Sequence, residues 1–168
     1  HYPFGDPGPV ASLGWFKRVA AFAASQVPRA KLSVGVGIYG TDWTVAGGKV
    51  SPSGPLTDKA QVAGGTASQV SGGAAAQVPG RTDDLTTLTS RAAEFKVPLE
   101  WDEASSTPRY SYLDRTGGRH EVWLENARSV SAKLAVLRDL GIRSLAVWRL
   151  GIVPEDVWGA VEADFLRK

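Results

Sequence analysis

The chain has no cysteine and no methionine among its 168 residues. Without cysteine it has no disulfide framework and no thiolate metal site. Histidine is almost as scarce: His1 and His120 are the only two, which leaves little for imidazole ligation, and no cofactor is expected. No apolar run approaches the length of a membrane span. A dominant charge is missing too. The 19 Lys and Arg are balanced by 17 Asp and Glu and are scattered, so the net charge of +2 points to neither nucleic acid nor an anionic membrane surface. Phosphate loops, serine-elbow signatures and metal-ligand spacings are absent. Gly35-Val36-Gly37 is not followed by the helix start that a dinucleotide site requires.

What is present is alternation. Leu32, Val34, Val36 and Ile38 fall on one face of a predicted strand, and Ser33, Gly35, Gly37 and Tyr39 fall on the other. In Ser144 to Gly151, Leu145 and Val147 oppose Ala146 and Trp148. Both strands are small on the second face until an aromatic closes the C-terminal end. That pattern suits parallel strands with helices against the branched face and a ligand at the carboxyl-end mouth. Trp148 and Tyr39 are then candidate stacking surfaces for a ring-shaped ligand.

Helical spacing flanks these strands. Ser12 reads as the cap of a helix through Leu13, Phe16, Val19, Ala20, Ala23 and Val27, closed by Pro28. Ala127 to Leu140 repeats the pattern with Val130, Leu134 and Leu137, and Gly141 is a natural terminating glycine. Pro154-Glu155-Asp156 opens a last helix through Trp158, Val161 and Phe165. Strands alternating with helices predict a parallel sheet and an α/β fold class. Two parallel strands leave bare edges, and a closed eight-stranded barrel takes about 250 residues. The expectation is the last two strand-helix units of a (β/α)8 TIM barrel. The opening His1-Tyr2-Pro3-Phe4 reads as a loop entered halfway, so the missing N-terminal part of that barrel is an expected partner.

The sequence divides into four predicted segments: 1–45, a barrel segment; 46–83, a flexible insertion; 84–126, an α+β lobe; and 127–168, the final helix-strand-helix. Within the second, residues 60–83 form a degenerate eight-residue repeat whose Gly, Ala, Ser and Gln content buries too little surface to order itself. In the lobe, Asp84 caps a short helix through Leu88, Ala92 and Phe95, followed by Leu99 to Asp102. The strands Tyr110 to Leu113 and His120 to Leu124 flank a turn at Asp114 to Gly118, a hairpin signal. Five carboxylates fall on the presumed rim, Asp42, Glu100, Asp102, Glu103 and Glu125, beside Tyr39, Trp43, Trp101 and Trp123. Acids beside exposed rings suit carbohydrate, the rings stacking on C–H faces and the acids accepting hydroxyl hydrogen bonds. Asp42 has the better claim, because it follows a strand end.

Five motifs occur in order: Phe4-Gly5-Asp6-Pro7-Gly8-Pro9-Val10-Ala11, Val36-Gly37-Ile38-Tyr39-Gly40-Thr41-Asp42-Trp43, Trp101-Asp102-Glu103, His120 to Ser129, and Val147-Trp148-Arg149-Leu150-Gly151. Together they resemble the C-terminal half of family-18 glycoside hydrolases, in the branch of spore-cortex and peptidoglycan-active N-acetylglucosaminidases. The resemblance spans nearly the whole chain except residues 46–83. It implies a glycosidase of the cell wall or extracellular space that cleaves β-1,4 links in N-acetylglucosamine polymers, peptidoglycan or chitin, with retention and with the substrate's acetamido group as nucleophile. It gives Trp148 the floor of the subsite, puts Tyr39 and Trp43 on the adjoining wall and sets Tyr2 just past the sixth-strand motif, while the pattern of acids and rings adds Asp42 and Trp101 as binding candidates. The family's Asp-x-x-Asp-x-Asp-x-Glu signature occurs nowhere in the chain, so no catalytic acid is assigned and the chain alone is expected to be inactive. The alternatives are a non-catalytic, lectin-like sugar-binding barrel and a non-catalytic lobe of a larger cell-wall polyprotein.

Overall fold

The computed structural model describes residues 6–45, 80–148, 151 and 153–166. The elements run α1 (Leu13–Gln26), β1 (Val34–Gly37), β2 (Tyr39–Val45), β3 (Arg81–Asp84), α2 (Leu85–Glu94), β4 (Glu100–Asp102), β5 (Thr107–Leu113), β6 (Arg119–Leu124), α3 (Ala127–Asp139), β7 (Leu145–Trp148) and α4 (Glu155–Val161). A 3-10 turn, Arg29–Lys31, follows α1, and a π-helical turn, Glu162–Leu166, follows α4.

Two sheets divide these strands. β1 and β7 pair in parallel, with Val34 opposite Leu145 and Gly37 opposite Trp148. The other five strands form an antiparallel sheet in the order β3-β2-β6-β5-β4. On β1 the alternation holds: Val36 and Ile38 are 2% exposed and pack in the core with Phe16, Leu134 and Val157, while Gly35 and Ala146 lie exposed on the other face. One apolar cluster joins this body to the lobe, where Leu85, Leu88, Tyr110, Val122 and Leu124 are buried.

Local signals set the helix ends. The Ser12 side chain accepts from the Trp15 N–H, and Asp84 accepts from the Thr87 N–H at 2.8 Å. Asn126 caps α3 reciprocally with Ser129. At the other end of α3, Gly141 at φ +69° lets Ile142 N–H reach the Leu137 carbonyl and Gly141 N–H reach that of Arg138. This is a Schellman ending, with Leu137 and Ile142 both buried against it.

Three expectations are corrected. The predicted strand from Leu32 to Tyr39 is broken: β1 ends at Gly37, and Tyr39 opens β2 in the antiparallel sheet, paired with Asp84. Alternation continues through Ile38 and Tyr39, and alternation assigns faces but not strand partners. The end of the repeat is ordered, because Arg81 to Asp83 lie in β3 against β2; the rest of the insertion, 46–79, lies outside the described residues. With β2 and β3 in its sheet, the lobe extends beyond the predicted segment 84–126.

Candidate functional site

At the carboxyl end of the parallel pair, Trp148 is 68% exposed. Its carbonyl accepts from the Ile38 N–H at 2.7 Å, which carries the parallel pairing one residue past β1. Opposite it stands Gly37. A Cβ there would stand 2.9 Å from Tyr39 Cε1 and 3.2 Å from Val10 Cγ1, so the Tyr39 ring lies over a position that only glycine leaves open. The chain then turns from one sheet into the other, and the Tyr39 carbonyl accepts from the Glu125 N–H at 3.2 Å. Burial raises the Tyr39 pKa, and the charge of Glu125 raises it further. The phenol therefore stays protonated at neutral pH and can donate a hydrogen bond. An exposed indole beside a half-buried tyrosine offers a stacking surface and a polar handle.

The rim carboxylates do not converge. Asp42 is 8% exposed inside the lobe. Its Oδ2 accepts from Arg91 Nη1 and from the Tyr112 hydroxyl, both at 2.7 Å, and its Oδ1 lies 2.7 Å from His120 Nδ1. Arg91 also donates to Asp83, at 3.2 Å, and His120 stacks on Tyr112 and reaches Asp114. Glu125 is 1% exposed and paired with Lys133 and Ser129. Asp102 accepts from the Ser105 N–H and hydroxyl. Glu100 and Glu103 are the exposed members, at 65% and 83% of their side chains.

The aromatics separate in the same way. Trp43 and Trp123 are 2% and 4% exposed, so neither presents the open ring expected of a stacking platform. Gly80 backs onto Trp43, where a Cβ would stand 2.7 Å from the ring, and the Trp123 N–H donates to Glu121. Trp101 is half-buried; the Arg128 guanidinium sits 3.7 Å from its ring centroid, and its N–H donates to Glu103 at 3.1 Å. Of the sequence-predicted binding residues, Tyr39 and Trp148 come together around Gly37, while Asp42 lies in the lobe interior. Tyr2 lies outside the described residues.

The sequence reading missed Lys133. It lies on the α3 stripe of Val130, Leu134 and Leu137 and is as buried as they are. A lysine at an apolar position, eight residues after Glu125 and four after Ser129, was the available signal. Among the described residues no group of three or more His, Asp or Glu is arranged to hold a metal, and no helix is long and apolar enough to cross a membrane.

No family model matches the chain. It is 29% identical over 157 residues to the cortical fragment-lytic enzyme of Bacillus subtilis (strain 168), which covers 94% of this chain and 30% of the relative. It is also 29% identical over 150 residues to the putative sporulation-specific glycosylase YdhD of the same organism, covering 89% of this chain and 29% of that protein. Among solved structures, the spore cortex-lytic enzyme SleL of Bacillus megaterium QM B1551 superimposes with a TM-score of 0.74 at 29% identity, over 98% of this chain and 32% of that one. A chitinase from Chromobacterium violaceum ATCC 12472 matches with a TM-score of 0.75 at 24% identity, over 100% of this chain and 43% of its own, and shows a shared fold. The chain thus spans about a third of the length of its curated relatives. It is homologous to spore cortex-lytic enzymes and has the mixed α/β fold seen in SleL and in chitinases, as its motifs implied.

Proposed function

We propose that this chain forms the substrate-binding side of a glycosidase acting on β-1,4-linked N-acetylglucosamine polymers of the cell wall, peptidoglycan or chitin. The observation that carries the reading is the exposed Trp148 at the carboxyl end of a parallel strand, beside Tyr39, in a chain homologous to cortex-lytic enzymes. The indole stacks on the C–H face of a sugar ring, and the Tyr39 hydroxyl donates to a polar substituent of the same ring. The reaction retains configuration with the substrate's acetamido group as nucleophile, and the proton donor comes from outside these residues. Among the described residues β1 and β7 pair with no further strand and the Gly35–Ala146 face is bare, which supports a place as the last two strand-helix units of an eight-stranded barrel, completed by further strands. The protein then works in the cell wall or outside the cell, without a cofactor.

One observation favours a second reading, a sugar-binding protein without hydrolysis. The carboxylate whose charge acts on the Tyr39 phenol, Glu125, is consumed by Lys133 and Ser129. Titration of the complete protein with an N-acetylglucosamine tetramer tests binding. Trp148→Ala is expected to cost ~1–3 kcal/mol, by analogy with aromatic side chains that stack on nucleic-acid bases, and an unchanged titration removes Trp148 from the site. Release of reducing ends from spore cortex peptidoglycan or chitin by the complete protein separates the two readings: cleavage supports the hydrolase, and saturable binding without cleavage supports the binder.

A further inference from the structure

Two ionised side chains are buried without any part in the chemistry proposed above: Glu125 and Lys133, whose side chains are 0% and 3% exposed. Taking both charges out of water is costly, and apolar residues of similar size commonly serve stability as well or better. What distinguishes the pair is its attachments. Glu125 lies between the end of β6 and the Asn126 cap of α3. Lys133 Nζ donates to its Oε1, and Ser129 Oγ donates to its Oε2 at 2.6 Å. Its own N–H donates to the Tyr39 carbonyl at 3.2 Å. One residue earlier, the Ile38 N–H donates to the Trp148 carbonyl at 2.7 Å. The dipeptide Ile38-Tyr39 is where the chain leaves the parallel sheet for the antiparallel one, and these two bonds hold it from opposite sides.

We infer that the Glu125–Lys133 pair is a positioning device that locks α3 to this crossing and so holds Tyr39 in place beside Trp148. A carboxylate fixed at both oxygens cannot swing, so the Glu125 N–H stays aimed at Tyr39. Burial, and after it the Glu125 charge, raises the Tyr39 pKa. The binding arm of the test rests on the sugar-site reading; the exchange arm does not.

The test removes both charges together, Glu125→Gln with Lys133→Met, in the complete protein, alongside Ser129→Ala. The double variant is expected to melt within a few degrees of the parent. Hydrogen exchange at the Ile38 and Glu125 amides should become at least tenfold faster, and affinity for an N-acetylglucosamine tetramer should fall at least tenfold. A stable double variant with unchanged exchange at both amides overturns the inference. If the double variant does not fold, Ser129→Ala decides: faster exchange at the Glu125 amide supports the device, and parental exchange overturns it. If Trp148→Ala binds sugar as the parent does, the sugar-site reading fails, and exchange alone then decides the positioning role.

Discussion

The lobe and the body solve the problem of buried charge differently. In the lobe, Asp42, Arg91, His120, Asp83 and Asp114 share one network in which each acid meets more than one donor. That network sits under α2 in a five-stranded sheet whose strands pair in sequence-local hairpins or with β2. Among the described residues the body buries one such pair, Glu125 with Lys133, behind the two-stranded sheet of β1 and β7. A distributed network loses a fraction of its support when one member is removed, while a pair that loses its cation leaves a buried carboxylate with only a neutral donor, the Ser129 hydroxyl. The lobe is thus a scaffold closed on itself. The body leaves its small-residue face and Trp148 open.

The largest expected effect breaks the body's side of that contrast. Lys133→Met strands the Glu125 charge in the interior and should cost about 3–5 kcal/mol in urea denaturation; a loss no greater than that of Arg91→Met would erase the distinction. Next comes Gly40→Ala in the lobe. Its Cβ would stand 2.5 Å from both Leu88 Cδ1 and the Trp123 carbonyl oxygen, contacts that backbone and packed helix cannot relieve. A loss of about 1–3 kcal/mol is expected in urea denaturation.

Gly37→Ala sharpens the contrast from the other side. Its nearest obstacles are side chains, the edge of the Tyr39 ring and Val10, so stability should fall by only about 1 kcal/mol. Displacement of Tyr39 should nonetheless weaken sugar binding more than Gly40→Ala does, which calorimetric titration of both variants checks. The smallest effect lies in the lobe's hairpin turn. Asp114 is held at about 2 because its carboxylate accepts from the Thr116 hydroxyl and from the Gly118 and Thr116 N–H groups. A folded pKa below the unfolded value of about 3.9 means the turn's contribution is present above pH ~4 and is lost as pH falls through ~2. Amide shifts of Thr116 and Gly118 should hold through pH 4 and move only near pH 2; movement centred at pH 4 would break the account.

Much of the lobe was legible because its signals are local. The Asp84 cap, the Asp114 to Gly118 turn and the aromatic alternation on either side each sit within a few residues, and each appears where the sequence places it. The parallel pairing of β1 with β7 also followed from alternation and helix order. The rim of acids did not survive, because a carboxylate looks the same in sequence whether it faces solvent or an arginine. Asp42 meets Arg91 at a separation of 49 residues, Tyr112 at 70 and His120 at 78. Nothing short-range in the chain encodes those meetings.

By itself, then, the sequence determined the faces of the strands, the ends of the helices and the small-residue face of β1 and β7 that ends at Trp148. These depend on backbone sterics, periodicity and side-chain size within one or two turns of chain. Only the tertiary structure decided which sheet Tyr39 joins, that Asp42 and Trp43 are interior, and that Glu125 and Lys133 anchor the crossing. Strand partner and helix docking set which distant charges come within hydrogen-bond reach, and desolvation then makes those pairings binding on the fold.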